Sequence, residues 1–312
     1  MFALTRLFTL GALVSSAAAP AAAATGVEWQ WPDGEVRKYR VAADVKMPQV
    51  LIFSNDYNKD VRVYDYAFIV DVDCMPTRAT GKGWELACDI TEAQFNANVA
   101  SNDLNIGLEV LDQWDQKLVD NAKVTFELTS DGKVKDFDLQ GLNERNTRIR
   151  MIKETMRPVL LRGFSAFDLN LPKKGDASKP WKQKTQLALM LPVINGMLGA
   201  TQLQSEVAEE EGTKVTIDTV GRGTLTMDLM AGSGAAPPDS YDSVMRSRSA
   251  FDTATGNLLE RSYLVESQLT PGSGSAIGGT EQTPYVQAVQ LTYRADGMPM
   301  PMLGPNKVEE VK

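Results

Sequence analysis

The chain has 312 residues, with 40 acidic and 32 basic side chains, two cysteines and no histidine, so its formal charge is −8. This balance argues against nucleic acid, because binding to phosphates needs clustered lysine and arginine. The lack of histidine excludes imidazole metal ligands and catalytic triads based on histidine.

The N-terminus has the pattern of an export signal. Arg6 precedes an apolar run over residues 7–19, and small residues follow up to Ala24. This pattern predicts a signal peptide over residues 1–24, with cleavage after Ala24. The run is too short and too rich in alanine for a stable membrane anchor. We therefore expect a periplasmic or secreted protein without a transmembrane anchor.

The first half of the mature chain alternates apolar and polar residues, as half-buried antiparallel strands do. Residues 35–47 show this pattern, and residues 64–74 and 84–90 repeat it. Further along, Asp131-Gly132 separates two alternating runs, which predicts a hairpin turn.

Both cysteines fall on the apolar faces of two such neighbouring strands. Cys74 and Cys88 would close a loop of about 15 residues, and an exported protein favours their oxidation. A redox-active pair is the alternative, but the close Cys-x-x-Cys spacing is missing. The sequence therefore predicts a structural disulfide.

Residues 143–164 form the one convincing helical pattern. At 100° per residue, Ile149, Ile152, Met156 and Leu160 share one face, opposite a basic face. The apolar face needs a sheet to cover it. The basic face suits anionic lipid headgroups or the protein's own acidic strands.

The second half returns to alternating strands from Trp181 onward. Its turn signals lie at Glu209-Glu210-Glu211-Gly212 and at residues 253–257. The C-terminal end spaces Met298, Met300 and Met302 with prolines, which predicts a disordered tail, with a soft metal site for Cu(I) as the alternative.

These patterns predict a mainly β protein of curved antiparallel sheets, either an open half-barrel or two β halves, with one amphipathic helix across the opening. The predicted segments are the signal peptide 1–24, the N-terminal antiparallel β half 25–142, the central helix 143–164, the C-terminal antiparallel β half 165–296 and the tail 297–312.

The order of these features resembles a known class of proteins. The signal peptide, the amphipathic strands, the mid-chain helix and the crossover Leu171-Pro172…Gly175…Trp181 resemble bacterial periplasmic proteins. Their architecture is similar to the lipoprotein carriers of the LolA and LppX type. The resemblance implies a half-barrel closed by helices over an apolar cavity that holds acyl chains.

Motifs of catalysis are absent from the sequence, which contains no phosphate-binding loop and no Gly-x-Ser-x-Gly. The pairs Asp71 with Asp73 and Asp136 with Asp138 could hold a cation or act as acid and base, although solvated strand faces explain them equally. We therefore expect neither an enzyme nor a cofactor.

The function that this sequence favours is binding or carrying a lipid or another apolar ligand between the sheets and the central helix. The alternative is a non-enzymatic structural or interaction module of the cell envelope, with filled β domains and an envelope protein as its partner. The candidate ligand-lining residues are Ile149, Ile152, Met156, Leu160, Phe68 and Trp181.

Overall fold

The computed structural model describes residues 26–54, 60–101, 122–141, 160, 163–188, 197–227, 239–269, 285–303 and 307–310. The strands are β1 (Arg37–Ser54), β2 (Asp60–Thr80), β3 (Gly83–Ser101), β4 (Lys123–Thr129), β5 (Val134–Gln140), β6 (Trp181–Ala188), β7 (Met197–Glu211), β8 (Lys214–Met227), β9 (Asp239–Asp252), β10 (Asn257–Leu269), β11 (Tyr285–Tyr293) and β12 (Lys307–Glu310). All twelve belong to one sheet, which confirms the predicted mainly β class.

Eleven strands follow one another antiparallel in the order β5-β4-β3-β2-β1-β11-β10-β9-β8-β7-β6, and β12 pairs with β3 in parallel. Strands β1 and β11 form the seam between an N-terminal arm and a C-terminal arm. The predicted turns join β4 to β5, β7 to β8 and β9 to β10. Gly132, Gly212 and Gly256 supply the positive φ that these turns need. The two predicted halves are thus arms of a single open sheet.

The two arms meet across the N-terminal segment that precedes β1. The amide of Trp29 donates to the carbonyl of Ser130 in the β4–β5 turn, and the amide of Gln30 donates to the carbonyl of Gly256 in the β9–β10 turn. In a flat sheet these turns, six strand positions apart, would be separated by about 29 Å. Two consecutive residues reach both turns only if the sheet is strongly curled. The two arms of the single open sheet therefore bend toward each other.

The inner face of the curled sheet carries the core. In β1 and its neighbours the inward positions pair Val41 with Val70 and Leu291, and all three side chains are buried. The alternating positions face outward and carry charges such as Arg40 opposite Asp71. This parity follows from the two-residue period of a strand.

The predicted Cys74–Cys88 disulfide is confirmed. The two cysteines lie directly opposite each other in the β2–β3 hairpin, on the inner face, and they are joined by a disulfide. Cys74 lies there because it continues the alternation of Phe68, Val70 and Val72 along β2. Cys88 is its direct partner on β3.

The predicted helix 143–164 lies mostly outside the described residues. Leu160, Gly163 and Phe164 have helical backbone, and the chain continues in 3-10 turns at Ser165–Phe167 and Lys173–Gly175. The described part of the chain contains no α-helix of the predicted length, so the amphipathic helix is not supported. None of its described helical turns has the length and hydropathy to cross a membrane.

The tail predicted to be disordered is instead held against the outer face of the sheet where it is described. The guanidinium of Arg40 donates to the carbonyl oxygens of Met298 and Pro299, and the amide of Leu303 donates to the Gln94 side chain. Strand β12 then pairs in parallel with the C-terminal end of β3. Composition alone predicts disorder here because these partners lie more than 200 residues away in sequence.

The contact between the arms gives a testable prediction at Gly256. A Cβ at this glycine would lie 2.6 Å from the backbone nitrogen of Gln30, and φ is +59°. We expect Gly256→Ala to lower the free energy of unfolding by about 2 kcal/mol or more, through strain together with the clash. Chemical denaturation measures the loss.

Gly212 is the matched control for that variant. It has φ +60° in the β7–β8 turn, but nothing lies within 4 Å of its Cβ position. Gly212→Ala should therefore show only the conformational cost, about 1 kcal/mol. Equal losses in both variants would contradict the contact between Gln30 and the β9–β10 turn.

Candidate functional site

One end of the curled sheet is sealed by aromatic rings, which we call the aromatic plug. Its members are Trp29, Trp31, Tyr39, Phe126, Phe164, Phe167 and Phe251. Each is at most 3% exposed. The Phe167 ring lies 5.4 Å from Phe126 of β4 and 6.0 Å from Trp29. Trp29 lies edge-on to Phe251 of β9 at 5.8 Å. The plug therefore joins both arms and closes this end of the interior.

Beyond the plug, the inner face carries a neutral polar network. The Gln287 amide donates to the Tyr263 hydroxyl at 3.2 Å, and the Tyr285 hydroxyl donates to the Gln287 carbonyl at 2.7 Å. The Ser165 hydroxyl lies 3.3 Å from the Tyr263 oxygen. Burial raises the pKa of neighbouring Tyr66 well above its ordinary value of 10, so this phenol stays neutral.

A buried arginine of β10 and a half-buried aspartate lie where β10 meets the segment after the predicted helix. The guanidinium of Arg261 is 3% exposed and donates to the carbonyl oxygens of Ala166 and Asp168. It also lies 5.4 Å from the centre of the Tyr263 ring. Burial raises the pKa of the Asp168 carboxyl to about 6, although Arg261 and the amide of Asn170 act in the opposite direction. The pKa of the Asp168 carboxyl is therefore near neutral pH.

This carboxyl predicts a pH-dependent stability. The unfolded chain releases the Asp168 proton near pH 3.8 and the folded chain near pH 6, so the folded state binds more protons in between. The free energy of unfolding should therefore fall as the pH rises from about 4 to 6 and stay lower above. At pH 7.5 we expect Asp168→Asn to be more stable than the natural protein by up to about 3 kcal/mol.

Denaturation at pH 4, 6 and 7.5 measures this effect. Asp176, on the same segment, is the control, because its carboxyl is exposed and its pKa is lowered by the hydroxyl and amide of Ser178. Asp176→Asn should keep the natural pH dependence. An unchanged pH slope in Asp168→Asn would show that another group is responsible.

The structure brings two of the predicted ligand-lining residues into the interior. Phe68 is fully buried on β2, and a Cβ at Gly163 would lie 2.8 Å from its ring. The segment after the predicted helix therefore packs directly on β2. Leu160 is buried in the same core.

The other predicted lining residues are placed differently. Trp181 begins the edge strand β6, half-buried, and its indole N–H donates to the carbonyl of Asn170 at 2.9 Å. Ile149, Ile152 and Met156 lie outside the described residues. Their role in lining a ligand stays a prediction.

Sequence reasoning missed the polar side of the interior, including Arg261 and Gln287. A signal was available, because β9 places Ser243, Ser247 and Ser249 at the inward positions of an otherwise regular alternation. Inward serine breaks the rule that the buried face is apolar.

The aspartates at positions 71 and 73, which could hold a cation or act as acid and base, form ion pairs instead. Asp71 and Asp73 are both paired with arginines, through Arg40 and Arg294. Among the described residues, no cluster of acidic or cysteine side chains could hold a metal ion. The methionines of the tail are described, with Met298 and Met302 exposed and Met300 partly buried. A thioether metal site stays a prediction.

Comparison with known proteins gives little guidance. No protein-family model matches the chain, and no curated protein matches it. One similar solved structure, of lipid–protein interactions in lipovitellin, has a TM-score of 0.46 and 11% identity. The match covers 88% of the present chain but 27% of the lipovitellin chain. The likeness is too weak to assign a fold family or a function. The comparisons also lend no support to the resemblance to carriers of the LolA and LppX type.

Proposed function

We propose that the protein is exported and binds or carries a lipid or another apolar ligand, held between the inner face of the curled sheet and the segment 143–164. The observation that carries this proposal is an eleven-stranded sheet that curls upon itself and is sealed at one end by the aromatic plug. Barrels of about eight strands are filled by their own side chains, whereas larger ones enclose cavities or channels.

The chemistry of the inner face supports an apolar ligand. The N-terminal arm presents large apolar side chains such as Phe68, Val70 and Leu86, all fully buried. The C-terminal arm instead has small residues on this face, which occupy less of the interior; they include Ser243, Ser247 and Gly221. An interior of this composition suits acyl chains better than ionic substrates.

Export and a non-enzymatic role complete the proposal. The disulfide between Cys74 and Cys88 supports an oxidising compartment, as the predicted signal peptide does. The pair of Arg261 and Asp168, whose carboxyl titrates, is tied to the backbone of the segment that carries Asp168. We assign it a structural role.

Quenching by a brominated acyl lipid tests the proposal, because bromine quenches only a tryptophan that it touches. We expect the lipid to quench Trp181, which shares the inner face with Ser205 on the edge strand β6, so that Trp181→Phe lowers the quenched fraction. Trp84 is the control, a second half-buried tryptophan that lies near the closed end. Trp84→Phe should leave the quenched fraction unchanged. Failure of the natural protein to bind any acyl probe would reject the proposal.

The alternative is an envelope interaction module, and one observation favours it. The edge strands β5 and β6 each pair with a single neighbour among the described strands, and an open edge can accept a strand from another protein. Cross-linking through Lys182 or Lys184 of β6 in intact cells should then capture one defined envelope protein, with no lipid bound.

A further inference from the structure

One stretch of the chain carries a local excess of positive charge, and we call it the basic crossover. It covers residues 173–184, which lead from the segment after the predicted helix into β6. The stretch contains five lysines and one aspartate, whereas the whole chain has a formal charge of −8. The basic crossover is therefore a positive region on an acidic protein.

The exposed lysines of the basic crossover form no ion pair within the described part of the chain. They are Lys173, Lys179, Lys182 and Lys184. By contrast, Lys123 of β4 pairs with Asp89 at 3.0 Å. The two crossover lysines on β6 point to the outer face, where their neighbours on β7 are the neutral Gln202 and Gln204. The positive charge therefore remains available to a partner in solvent.

The backbone of the basic crossover is fixed by contacts on both sides of Asp176. The carbonyl of Gly175 accepts from the amide of Val27 at 3.2 Å, and Ala177 is buried in the core. The amide of Ser178 donates to the Asp176 carboxylate at 3.0 Å, so this acidic group is engaged within the crossover. The lysines therefore extend from a backbone that is part of the folded structure.

The residues before the basic crossover place it where the two edges of the sheet approach each other. The amides of Leu169 and Leu171 donate to carbonyls of the β4–β5 turn, each at 3.0 Å. The carbonyl of Leu171 accepts from the Gln183 side chain of β6 at 2.6 Å. One residue thus contacts both the turn that leads into β5 and the opposite edge strand, β6. The crossover begins two residues later, so its lysines lie beside this junction of the edges.

The chemistry of the basic crossover favours an anionic lipid surface over a protein partner. Its five cations are all lysines, whereas protein–protein interfaces are enriched in arginine and depleted in lysine. Clusters of about four to eight basic residues are typical of segments that bind acidic lipid headgroups. At physiological ionic strength charges are screened beyond about 8 Å, so a nearby bilayer responds to the local positive charge more than to the net negative charge of the molecule.

We propose that the basic crossover docks the protein on an anionic lipid surface, with its exposed lysines against the headgroups. The junction between the edge strands β5 and β6 then faces the bilayer. This assignment rests on the proposed function, because a carrier of lipid has to meet the bilayer that supplies or receives its ligand.

Sedimentation with lipid vesicles tests this docking. We expect the purified protein to bind vesicles of phosphatidylcholine mixed with phosphatidylglycerol, to be released by high salt, and to bind vesicles of phosphatidylcholine alone about tenfold or more weakly. The double variant Lys182→Gln with Lys184→Gln should bind the anionic vesicles about tenfold or more weakly, because two ammonium groups are lost. Lys182→Arg with Lys184→Arg keeps both charges and should bind them as the natural protein does.

A second pair of lysines provides the control for net charge. Lys46→Gln with Lys214→Gln makes the same change in charge at exposed positions outside the basic crossover, and it should leave binding to the anionic vesicles unchanged. An equal loss in both glutamine double variants overturns the docking, and so does equal binding to vesicles with and without phosphatidylglycerol. Absence of vesicle binding together with capture of one acidic protein by these lysines also overturns it.

Quenching by the brominated acyl lipid, in the absence of vesicles, separates the docking from the proposed function. The variant Lys182→Gln with Lys184→Gln changes the outer face, so its quenched fraction should equal that of the natural protein. A natural protein that binds the acyl lipid but no anionic vesicles would overturn the docking and leave the proposed function standing. One that binds anionic vesicles through the crossover but no acyl lipid would reject the proposed function and support the docking.

Discussion

Replacing Asp71 with alanine should lower the free energy of unfolding by about 3–5 kcal/mol. Asp71 is fully buried on the outer side of β2, and its carboxylate accepts from Arg40 at 2.7 and 2.9 Å and from Arg294. Both guanidiniums are themselves largely buried. Removing Asp71 leaves two guanidiniums close together without the carboxylate that both of them contact, which is the costly way to break a buried ion pair.

The same substitution should also loosen the C-terminal tail. The guanidinium of Arg40 that donates to Asp71 also donates to the carbonyls of Met298 and Pro299, so loss of Asp71 should weaken this contact. We therefore expect faster hydrogen exchange at the amide of Leu303, together with the drop in urea stability.

Asp73 is the control for both measurements. It is 31% exposed and its ion pair with Arg294 is long, at 3.6 Å, so Asp73→Ala should cost no more than about 1 kcal/mol. A loss in Asp71→Ala that is no larger than this would show that the outer face does not depend on the ion cluster.

Local strand structure was predictable because the two-residue period needs no knowledge of distant parts of the chain. Alternation over residues 64–74 and 84–90 predicted the faces of β2 and β3 and, with them, the pairing of Cys74 with Cys88. The Asp131-Gly132 turn was equally local. In each case the residues that determine the structure are neighbours in sequence.

The closure of the two halves into one sheet was beyond sequence patterns. Tyr39 pairs with Tyr293, so the seam between β1 and β11 joins residues that are far apart in sequence. Alternation gives the face of each strand but not its neighbour. The docking of the tail has the same origin, because its partners Arg40 and Gln94 carry no signal within the tail itself.

The candidate site was predicted only on its apolar side. Phe68 and Leu160 fit the rule that apolar periodic positions face the core, and both are buried. Arg261 and Gln287 occupy equally inward positions, but a polar residue there is normally assigned to solvent. Their burial depends on partners from three separate segments, which a single-strand pattern does not contain.

The disulfide yields the second large effect that we expect. Cys74 and Cys88 are fully buried on the inner face and close a loop with a sequence separation of 14 residues. The chain-entropy model attributes about 3 kcal/mol to a cross-link of this size, mainly through restriction of the unfolded chain. Replacing both cysteines with alanine should therefore lower the free energy of unfolding by roughly 2–4 kcal/mol. Thiol alkylation of unreduced protein tests the bond directly, and two freely alkylated thiols would disprove it.

The slope of the urea transition separates this cross-link effect from a simple loss of packing. Without the disulfide the unfolded chain is more extended and exposes more surface, so the m-value should rise while the stability falls. Val70→Ala removes buried volume from the same strand and leaves the disulfide intact, so it should lower stability at an unchanged m-value. If the double alanine variant instead kept the natural m-value, the disulfide would act through native packing on β2 and β3, and the entropic account would fail for this hairpin.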